Sequence, residues 1–201
     1  MMNPSHTSPL DSSAESELPI DLDGNRRAQK YSGSEQLQRV LWGMGQWLIR
    51  LSPRPMFGWR RSVLRCFGAK VGSNVNFYAS TRFYMPWNVE LQDWAAIGED
   101  ALIYSLGKVT IGRGATVSYR AHLCAGTHDF ADQKLALLKP PIVIGAQAWV
   151  GTDAFIGPGV VVGEGAIVGA RAVVMRSVAP LDVVVGNPAT VVSRRKPPVS
   201  T

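Results

Sequence analysis

The sequence predicts a mainly β fold in which the chain winds around a three-sided prism. Glycine and valine are frequent in the second half of the chain, where strong helix formers are scarce. From Val71 onward, apolar residues recur every six residues, and the interruptions of this repeat fall after every third unit. A period of six does not fit an α-helix, and a hairpin sandwich gives glycine no reason to repeat so strictly.

The composition of the first 33 residues predicts a disordered tail. Polar, acidic and proline residues dominate the stretch NPSHTSPLDSSAESE, which has almost nothing to bury. The same residues lack the apolar core of a signal peptide, so we expect no export by that route. Cys66 and Cys124 form no spaced framework, which favours reduced thiols and a cytoplasmic location.

Residues 34–70 predict two short helices in a basic segment. Seven Lys and Arg residues and one acidic residue lie between positions 31 and 70. Ser34 is a suitable N-cap for the first helix, and Pro53 and Pro55 end it before the stretch GWRRSVLRCFG begins the second. Apolar residues form one stripe along the first helix: Leu37, Leu41, Met44, Leu48 and Leu51.

Three interpretations of residues 34–67 stay open. The apolar run is too short and too polar to span a bilayer. Tryptophans beside arginines suit a peripheral helix on an anionic membrane, which would place the protein at the inner face of that membrane. The helices could instead pack on the main domain as a cap, or on a neighbouring subunit. We expect no nucleic-acid partner.

The repeat is clearest over residues 144–179, which read IGAQAW VGTDAF IGPGVV VGEGAI VGARAV VMRSVA. The first position of each unit is β-branched, the second is glycine in five of the six units, and the fifth is usually small. If each unit is a short strand and a corner, the branched side chain points inward and the small residue fits where two walls converge. Three units then make one turn of the prism.

Followed backward, the repeat gives about five triangular coils over residues 71–190. The interruptions come after Phe83, Ile103 and Leu123, so all three should emerge from one edge of the prism. Inward side chains are expected at Val71, Phe77, Phe83, Leu91, Ile97, Ile103, Ile111, Val117, Leu123, Ile144, Val150, Ile156, Val162, Val168 and Val174. Residues 191–201 are expected to be a C-terminal tail.

The longest interruption is a protruding loop over residues 124–141 that begins CAGTHDF and contains His128. Loops held by a rigid scaffold often carry chemistry, and an imidazole can take a proton from a hydroxyl. On these grounds alone, an exposed structural histidine is the better interpretation.

Three stretches in order, HLCAGTHDF, AWVGTDAFIGPGVVVGEGAIVGARAVV and VVGNPATVV, resemble acetyltransferases of the hexapeptide-repeat, left-handed parallel β-helix family. LRCFGAKVG, YMPWNVEL and YSLGKVTIG are similar to the WcaF-like branch, the colanic-acid-type exopolysaccharide O-acetyltransferases. The resemblance implies a homotrimer with active sites between subunits. It also implies acetyl-CoA as co-substrate and a sugar or lipid-linked oligosaccharide as acceptor.

The same resemblance implies roles for individual residues. His128 matches the general base, which would activate a sugar hydroxyl for direct attack on the thioester, with no metal expected. The matching cofactor residues are Trp149, Thr152, Ala170 and Arg176, and the matching acceptor residues are Tyr104, Ser105 and Asp129. Thr190 departs from the family pattern, because many relatives have arginine there; Arg194 and Arg195 could supply that charge.

Two other functions remain as alternatives. A non-catalytic trimeric scaffold attached to the membrane predicts that replacement of His128 by alanine affects no acyl transfer. A zinc carbonic anhydrase on the same scaffold needs three imidazoles per metal, whereas the repeat domain offers only His122 and His128. Stoichiometric bound zinc would favour that alternative.

Overall fold

A computed structural model describes residues 20–196 of the chain. The helices are α1 (Leu22–Arg27), α2 (Gly33–Arg50) and α3 (Phe57–Cys66), and a short 3-10 turn covers Pro86–Asn88. The strands are β1 (Lys70–Val71), β2 (Asn76–Phe77), β3 (Arg82–Phe83), β4 (Val89–Leu91), β5 (Ala96–Ile97), β6 (Leu102–Tyr104), β7 (Val109–Ile111), β8 (Thr116–Val117), β9 (His122–Cys124), β10 (Thr127–His128), β11 (Leu137–Leu138), β12 (Ile142–Ile144), β13 (Trp149–Val150), β14 (Phe155–Ile156), β15 (Val161–Val162), β16 (Ile167–Val168), β17 (Val173–Val174), β18 (Asp182–Val185) and β19 (Thr190–Arg194).

Three parallel sheets form the walls of the prism. Wall A contains β1, β4, β7, β12 and β15; wall B contains β2, β5, β8, β13, β16 and β18, with β19 at its end; wall C contains β3, β6, β9, β14 and β17. The chain passes from A to B to C and then back to A, which confirms the predicted β-helix. Only the β18–β19 pair within these walls is antiparallel.

The register of the walls brings the predicted inward residues into line. Leu91 pairs with Ile111, Ile111 with Ile144, and Ile144 with Val162, so the long loop before Ile144 leaves the register of wall A undisturbed. All the predicted inward side chains are buried except Val71, which is half-buried in the first coil. Branched side chains therefore form continuous stacks inside the prism, as the six-residue period predicts.

The residue that follows each inward residue is usually glycine because the backbone of the next coil lies too close to leave room for a Cβ. A Cβ at Gly98 would lie 2.6 Å from the Tyr119 nitrogen, and a Cβ at Gly151 would lie 2.7 Å from the Ala170 nitrogen. Both glycines have ordinary φ values, since the left-handed corner conformation falls two residues later, at Asp100 and Asp153. Close stacking of backbones, rather than an unusual dihedral angle, explains this glycine.

The three interruptions emerge from the same edge of the prism, as predicted. Each lies between a wall C strand and the next wall A strand: β3 to β4, β6 to β7, and β9 to β12. We call this the C–A edge. The edge between walls B and C, called the B–C edge below, carries only short corners.

Helices α2 and α3 cover the N-terminal end of the prism. Val63 and Leu64 of α3 are buried against the first coil, and the Trp42 indole of α2 donates a hydrogen bond of 2.7 Å to the Phe83 carbonyl. The N-cap of α2 is Ser32, which forms a capping box with Glu35, so the predicted cap at Ser34 is displaced by two residues.

The apolar stripe of α2 does not pack on the prism. The buried residues of α2 are Trp42, Gly45 and Ile49, which lie on a different face of the helix from the stripe. The stripe residues remain exposed by 42 to 72%: Leu37, Leu41, Met44, Leu48 and Leu51. Of the three interpretations of this segment, packing of the helices on the main domain as a cap is therefore confirmed, although a face other than the apolar stripe makes the contact.

Both predicted tails are partly structured. Residues 22–27 form α1, within the segment for which the sequence predicted disorder, and β19 occupies part of the predicted C-terminal tail. Helix α1 contacts the protruding loop, which is distant in sequence, whereas β19 forms a hairpin with the preceding strand β18. Residues 1–19 and 197–201 lie outside the described residues.

Candidate active site

His128 lies in a β-hairpin at the base of the protruding loop. Thr127 and His128 pair antiparallel with Leu138 and Leu137, and the imidazole is exposed to solvent. The ring Nδ1 lies 2.6 Å from the Leu135 carbonyl oxygen. Because a carbonyl can only accept a hydrogen bond, Nδ1 carries the hydrogen in the neutral ring, which leaves the lone pair on Nε2. This tautomer is the one that a general base needs.

The rest of the loop is held by hydrogen bonds to its own backbone. Asp129 Oδ1 accepts a hydrogen bond of 3.0 Å from the Ala131 N–H, and its backbone N–H donates to Ala136. Asp132 accepts from two more backbone N–H groups of the loop, those of Lys134 and Ala136. The Asp129 carboxylate therefore supports the loop through Oδ1, and its contact with an acceptor stays a prediction.

Helix α1 supports the loop from outside. The Asp21 N–H donates 2.9 Å to the Gln133 carbonyl, and the Asn25 amide donates to the carbonyls of Lys134 and Leu135. The Leu135 carbonyl is the same group that fixes the His128 tautomer. Nothing in the sequence distinguishes Asn25, because α1 is short and carries no periodic apolar pattern.

Tyr104 and Ser105 have different surroundings on wall C. The Tyr104 ring lies 4.7 Å from that of Tyr84, whose hydroxyl accepts a 2.8 Å hydrogen bond from Arg39. Burial raises the pKa of the Tyr104 phenol above its usual value. Ser105 is fully buried, and its hydroxyl donates to the Met85 carbonyl and accepts from the Met85 N–H. The Ser105 hydroxyl thus links its own strand end to the backbone of Met85 and does not face an acceptor.

Cys124 lies close to His128 in sequence but is a poor nucleophile. Burial raises the pKa of its thiol, and Sγ donates weakly to the Gly126 carbonyl at 3.5 Å. A thiol with a raised pKa is thiolate to a smaller extent at neutral pH. This environment favours direct transfer over an acyl-cysteine intermediate.

The four residues matched to the cofactor lie on two sides of the prism. Trp149 points outward from wall B, half exposed, and its indole donates 2.8 Å to the Ser118 hydroxyl. Thr152 and Ala170 lie in successive coils on the B–C edge. Arg176 is exposed beyond β17 on the C–A edge, beside a cavity of about 480 Å³.

A single chain therefore does not bring all these residues together. His128 and Arg176 share the C–A edge, whereas Trp149, Thr152 and Ala170 lie on wall B and its border with wall C. Arg195, which follows β19, donates to the carbonyls of Gln147 and Gly165 and lines a surface groove with Trp149. It places a positive charge close to the tryptophan, although far from it in sequence.

The surroundings of His122 and His128 differ, and no metal centre joins them. The His122 ring lies between those of Tyr104 and Phe155 on wall C. Burial lowers the pKa of His122, and the charge of Arg82 lowers it further. Among residues 20–196, no three His, Cys, Asp or Glu side chains are grouped to hold a metal ion. No helix in the same range is long and apolar enough to cross a bilayer.

Comparison with known proteins assigns the family. Over 176 residues the chain is 40% identical to the Escherichia coli K12 protein assigned as the colanic acid biosynthesis acetyltransferase WcaF, covering 87% of this chain and 97% of that protein. The Shigella flexneri protein of the same name matches equally well. The chain belongs to the hexapeptide-repeat acetyltransferases. The family described as bacterial transferase hexapeptide (six repeats) matches residues 141–176.

Solved structures of acetyltransferases share the fold. A hexapeptide-repeat acetyltransferase of Vibrio cholerae, complexed with acetyl-CoA, superposes with a TM-score of 0.78 at 20% identity, over 84% of this chain and 93% of that chain. A maltose O-acetyltransferase of Clostridium difficile 630 gives 0.76 at 22% identity, over 83% and 90%. These likenesses confirm the β-helix fold of this acetyltransferase.

Proposed function

We propose that this acetyltransferase moves an acetyl group from acetyl-CoA to a sugar hydroxyl in exopolysaccharide synthesis, with His128 as general base. The observation that carries the proposal is the hydrogen bond between His128 Nδ1 and Leu135, which leaves an exposed Nε2 able to accept a proton. Its relatives support the donor and the pathway: one is assigned to colanic acid biosynthesis, and a structural neighbour was solved with acetyl-CoA.

The reaction needs no covalent enzyme intermediate. His128 Nε2 removes the proton of the sugar hydroxyl as its oxygen attacks the thioester carbonyl. A backbone N–H group at the edge of the prism stabilises the negative oxygen of the tetrahedral intermediate. The carbon–sulfur bond then breaks, and the imidazolium returns the proton to the sulfur of coenzyme A. Arg176 and Arg195 offer guanidinium groups for the phosphates of the cofactor.

The site forms between protomers of a homotrimer. The C–A edge of one protomer, with His128 and Arg176, faces wall B of the next, with Trp149, Thr152 and Ala170. This arrangement joins residues that a single chain keeps apart. Phe130, at the tip of the protruding loop, is 94% exposed in the single chain. A phenylalanine this exposed gains by packing on a neighbouring subunit.

The exposed stripe of α2 contacts the cytoplasmic face of a membrane. Val40 and Trp47 extend the stripe, and Trp59 continues it past the end of α2, since its indole donates to the Leu48 carbonyl. Arg54 lies at the same end and is exposed, although it pairs with Glu99, so it can meet anionic headgroups. The stripe side chains are exposed in the single chain and so are available for this contact.

Vesicle sedimentation tests this membrane contact. The protein is expected to sediment with phosphatidylglycerol vesicles and far less with pure phosphatidylcholine. The variant Met44→Glu should abolish sedimentation, whereas Gln38→Glu, on another face of α2, should not. If Met44→Glu instead dissociates the oligomer, the stripe is a subunit interface and the membrane proposal is wrong.

Thiol release from acetyl-CoA tests the catalytic proposal. The acceptors are free sugars, nucleotide sugars and lipid-linked sugars, each with wild type, His128→Gln and the loop variant Gln133→Ala. His128→Gln should lower kcat by about 10² to 10⁴, the range for loss of a general base. Gln133→Ala should retain activity, because that exposed side chain makes no contact with His128. Equal rates for wild type and His128→Gln would reject His128 as the base and favour a scaffold.

A further inference from the structure

A basic groove crosses the outer face of wall C, apart from His128. It has a volume of about 510 Å³. Its lining includes Arg50 at the end of α2, Arg82 on β3, Arg120 on the B–C edge, and His122 on β9. Helix, strand and corner thus converge on one depression, which we call the basic groove.

The positive charge of this groove is only partly compensated. Within residues 20–196, neither Arg50 nor Arg82 forms an ion pair with an acidic side chain. Arg120 pairs with Asp153 at 2.9 Å, and Asp100 is the single carboxylate in the lining. Several guanidinium groups facing so little negative charge favour an anionic ligand.

His122, which lines the same groove, also has an unsatisfied polar atom. Its Nε2 is buried, and no group among the described residues forms a hydrogen bond with it. A buried polar atom without a partner costs free energy unless a ligand or water satisfies it. This observation is independent of the arginines and also indicates a polar ligand.

A second, more apolar groove connects the basic groove to the tyrosines near the loop. It has a volume of about 550 Å³ and shares Arg82 and Leu102 with the basic groove. Tyr84 lies at its other side, in ring contact with Tyr104. Arg82 begins β3 and Tyr84 directly follows that strand, so the two residues are about 7 Å apart along the chain. Six residues separate His122 from His128, at most about 20 Å of extended chain.

We propose that the basic groove binds the diphosphate of the acceptor, so that this enzyme acetylates a diphosphate-linked sugar. The inference rests on the proposed function and narrows its substrate class. Guanidinium groups bind phosphate oxygens in pairs, and two uncompensated arginines suit a group that carries two negative phosphates. The connecting groove would then hold the sugar beside Tyr84 and Tyr104, on the side of wall C from which the His128 loop emerges.

A binding experiment tests the groove without acetyl transfer. Inorganic pyrophosphate is titrated calorimetrically into the full-length protein with saturating coenzyme A, so that the phosphate site of the cofactor is already filled. The double variant Arg50→Gln/Arg82→Gln should raise the Kd for pyrophosphate by about tenfold or more. Arg113→Gln is the control, because Arg113 pairs with Asp93 elsewhere on the prism. An unchanged Kd in the double variant, or no binding by wild type, would overturn the proposal.

Kinetics identify the source of the diphosphate. A nucleoside diphosphate sugar, a polyprenyl diphosphate sugar and the same sugar without phosphate are compared as acceptors. The double variant should raise KM about tenfold or more for at least one diphosphate-linked acceptor, with KM for acetyl-CoA and for the unphosphorylated sugar unchanged. An equal rise for the unphosphorylated sugar, or no rise for either diphosphate, contradicts the proposal.

The two experiments separate this inference from the proposed function. If the protein releases no thiol with any acceptor, the proposed function fails, but the pyrophosphate titration still decides whether the groove binds diphosphate. If transfer proceeds and the arginine variants bind pyrophosphate normally, only the diphosphate site is wrong.

Discussion

The Leu135 carbonyl accepts hydrogen bonds from His128 Nδ1 at 2.6 Å and from the Asn25 amide at 3.4 Å. The sequence identified His128, because its loop breaks the repeat and its motif resembles a family. It could not identify Asn25, since the contact spans 110 residues and α1 has no apolar period. The same limit applies to Ser105, whose motif suggested an acceptor contact and whose hydroxyl is buried against Met85.

Asn25 is expected to act as a positioning residue. Asn25→Ala should lower kcat about tenfold, because the loop that fixes the His128 tautomer loses its outer support, and leave KM for acetyl-CoA and the unfolding midpoint unchanged. Arg26→Ala, on the adjacent exposed residue, is the control. Asn25→Gln, which retains the amide, should restore part of the lost activity. An unchanged kcat for Asn25→Ala would show that α1 does not support the loop.

The two cysteines should differ in reactivity. Iodoacetamide at pH 8 should alkylate exposed Cys66 at least tenfold faster than Cys124, because burial both shields the Cys124 thiol and raises its pKa. Mass spectrometry of digested protein gives both rates from one sample. Cys124→Ala should retain acetyl transfer, and loss of activity with an intact fold would instead indicate a thiol intermediate.

At the level of elements, α2 shows why an apolar stripe does not reveal which face is buried. Gly45 allows Phe67 to approach, since a Cβ there would lie 2.6 Å from the Phe67 ring, and Trp42 packs edge-to-face on the same ring at 5.1 Å. The face of α2 that contains Gly45 therefore packs more closely, and the leucines on the stripe remain exposed to solvent. The sequence predicts that this segment is helical and roughly where the helix ends. Which face of α2 is buried depends instead on how closely its side chains fit against Phe67 and the prism.

Arg60 connects α3, the α2–α3 turn and the prism. Its buried guanidinium donates to the Phe77 carbonyl at 2.8 Å, to the Ser52 hydroxyl at 3.0 Å, and to the carbonyls of Pro53 and Arg54 at 2.9 and 2.8 Å. Burial lowers its pKa, but these acceptors hold the cation in place. The cap of the prism therefore depends on one planar side chain.

Replacement of Arg60 should destabilise the protein strongly. Arg60→Met should cost about 2–4 kcal/mol in urea unfolding, because four acceptors lose their donor and the hydrogen bonds to two of them, Phe77 and Ser52, are buried. Arg60→Lys should restore little of this stability, since one ammonium group cannot reach all four acceptors. Arg61→Met is the matched control: Arg61 donates one 2.9 Å hydrogen bond, to Val75, and should cost less than about 1 kcal/mol. Equal losses for Arg60→Met and Arg61→Met would contradict this role.

At the level of the whole molecule, the coil was predictable and the active site was not. The six-residue period fixed the inward residues and the edge from which all interruptions emerge, because every coil repeats the same steric requirement. The site has no such repetition. His128 and Arg176 lie on the C–A edge and Trp149 on wall B, so the period says nothing about how two copies meet.

A subunit-mixing experiment tests the central claim, that each active site combines the C–A edge of one protomer with wall B of the next. His128→Gln removes the base, and Ala170→Trp obstructs the opposite wall; each homotrimer should be inactive. Trimers formed from equal amounts of both should recover about a quarter of wild-type activity, because one interface in four pairs an intact edge with an intact wall. Mixed trimers no more active than their parents would place the site within one chain and contradict the account.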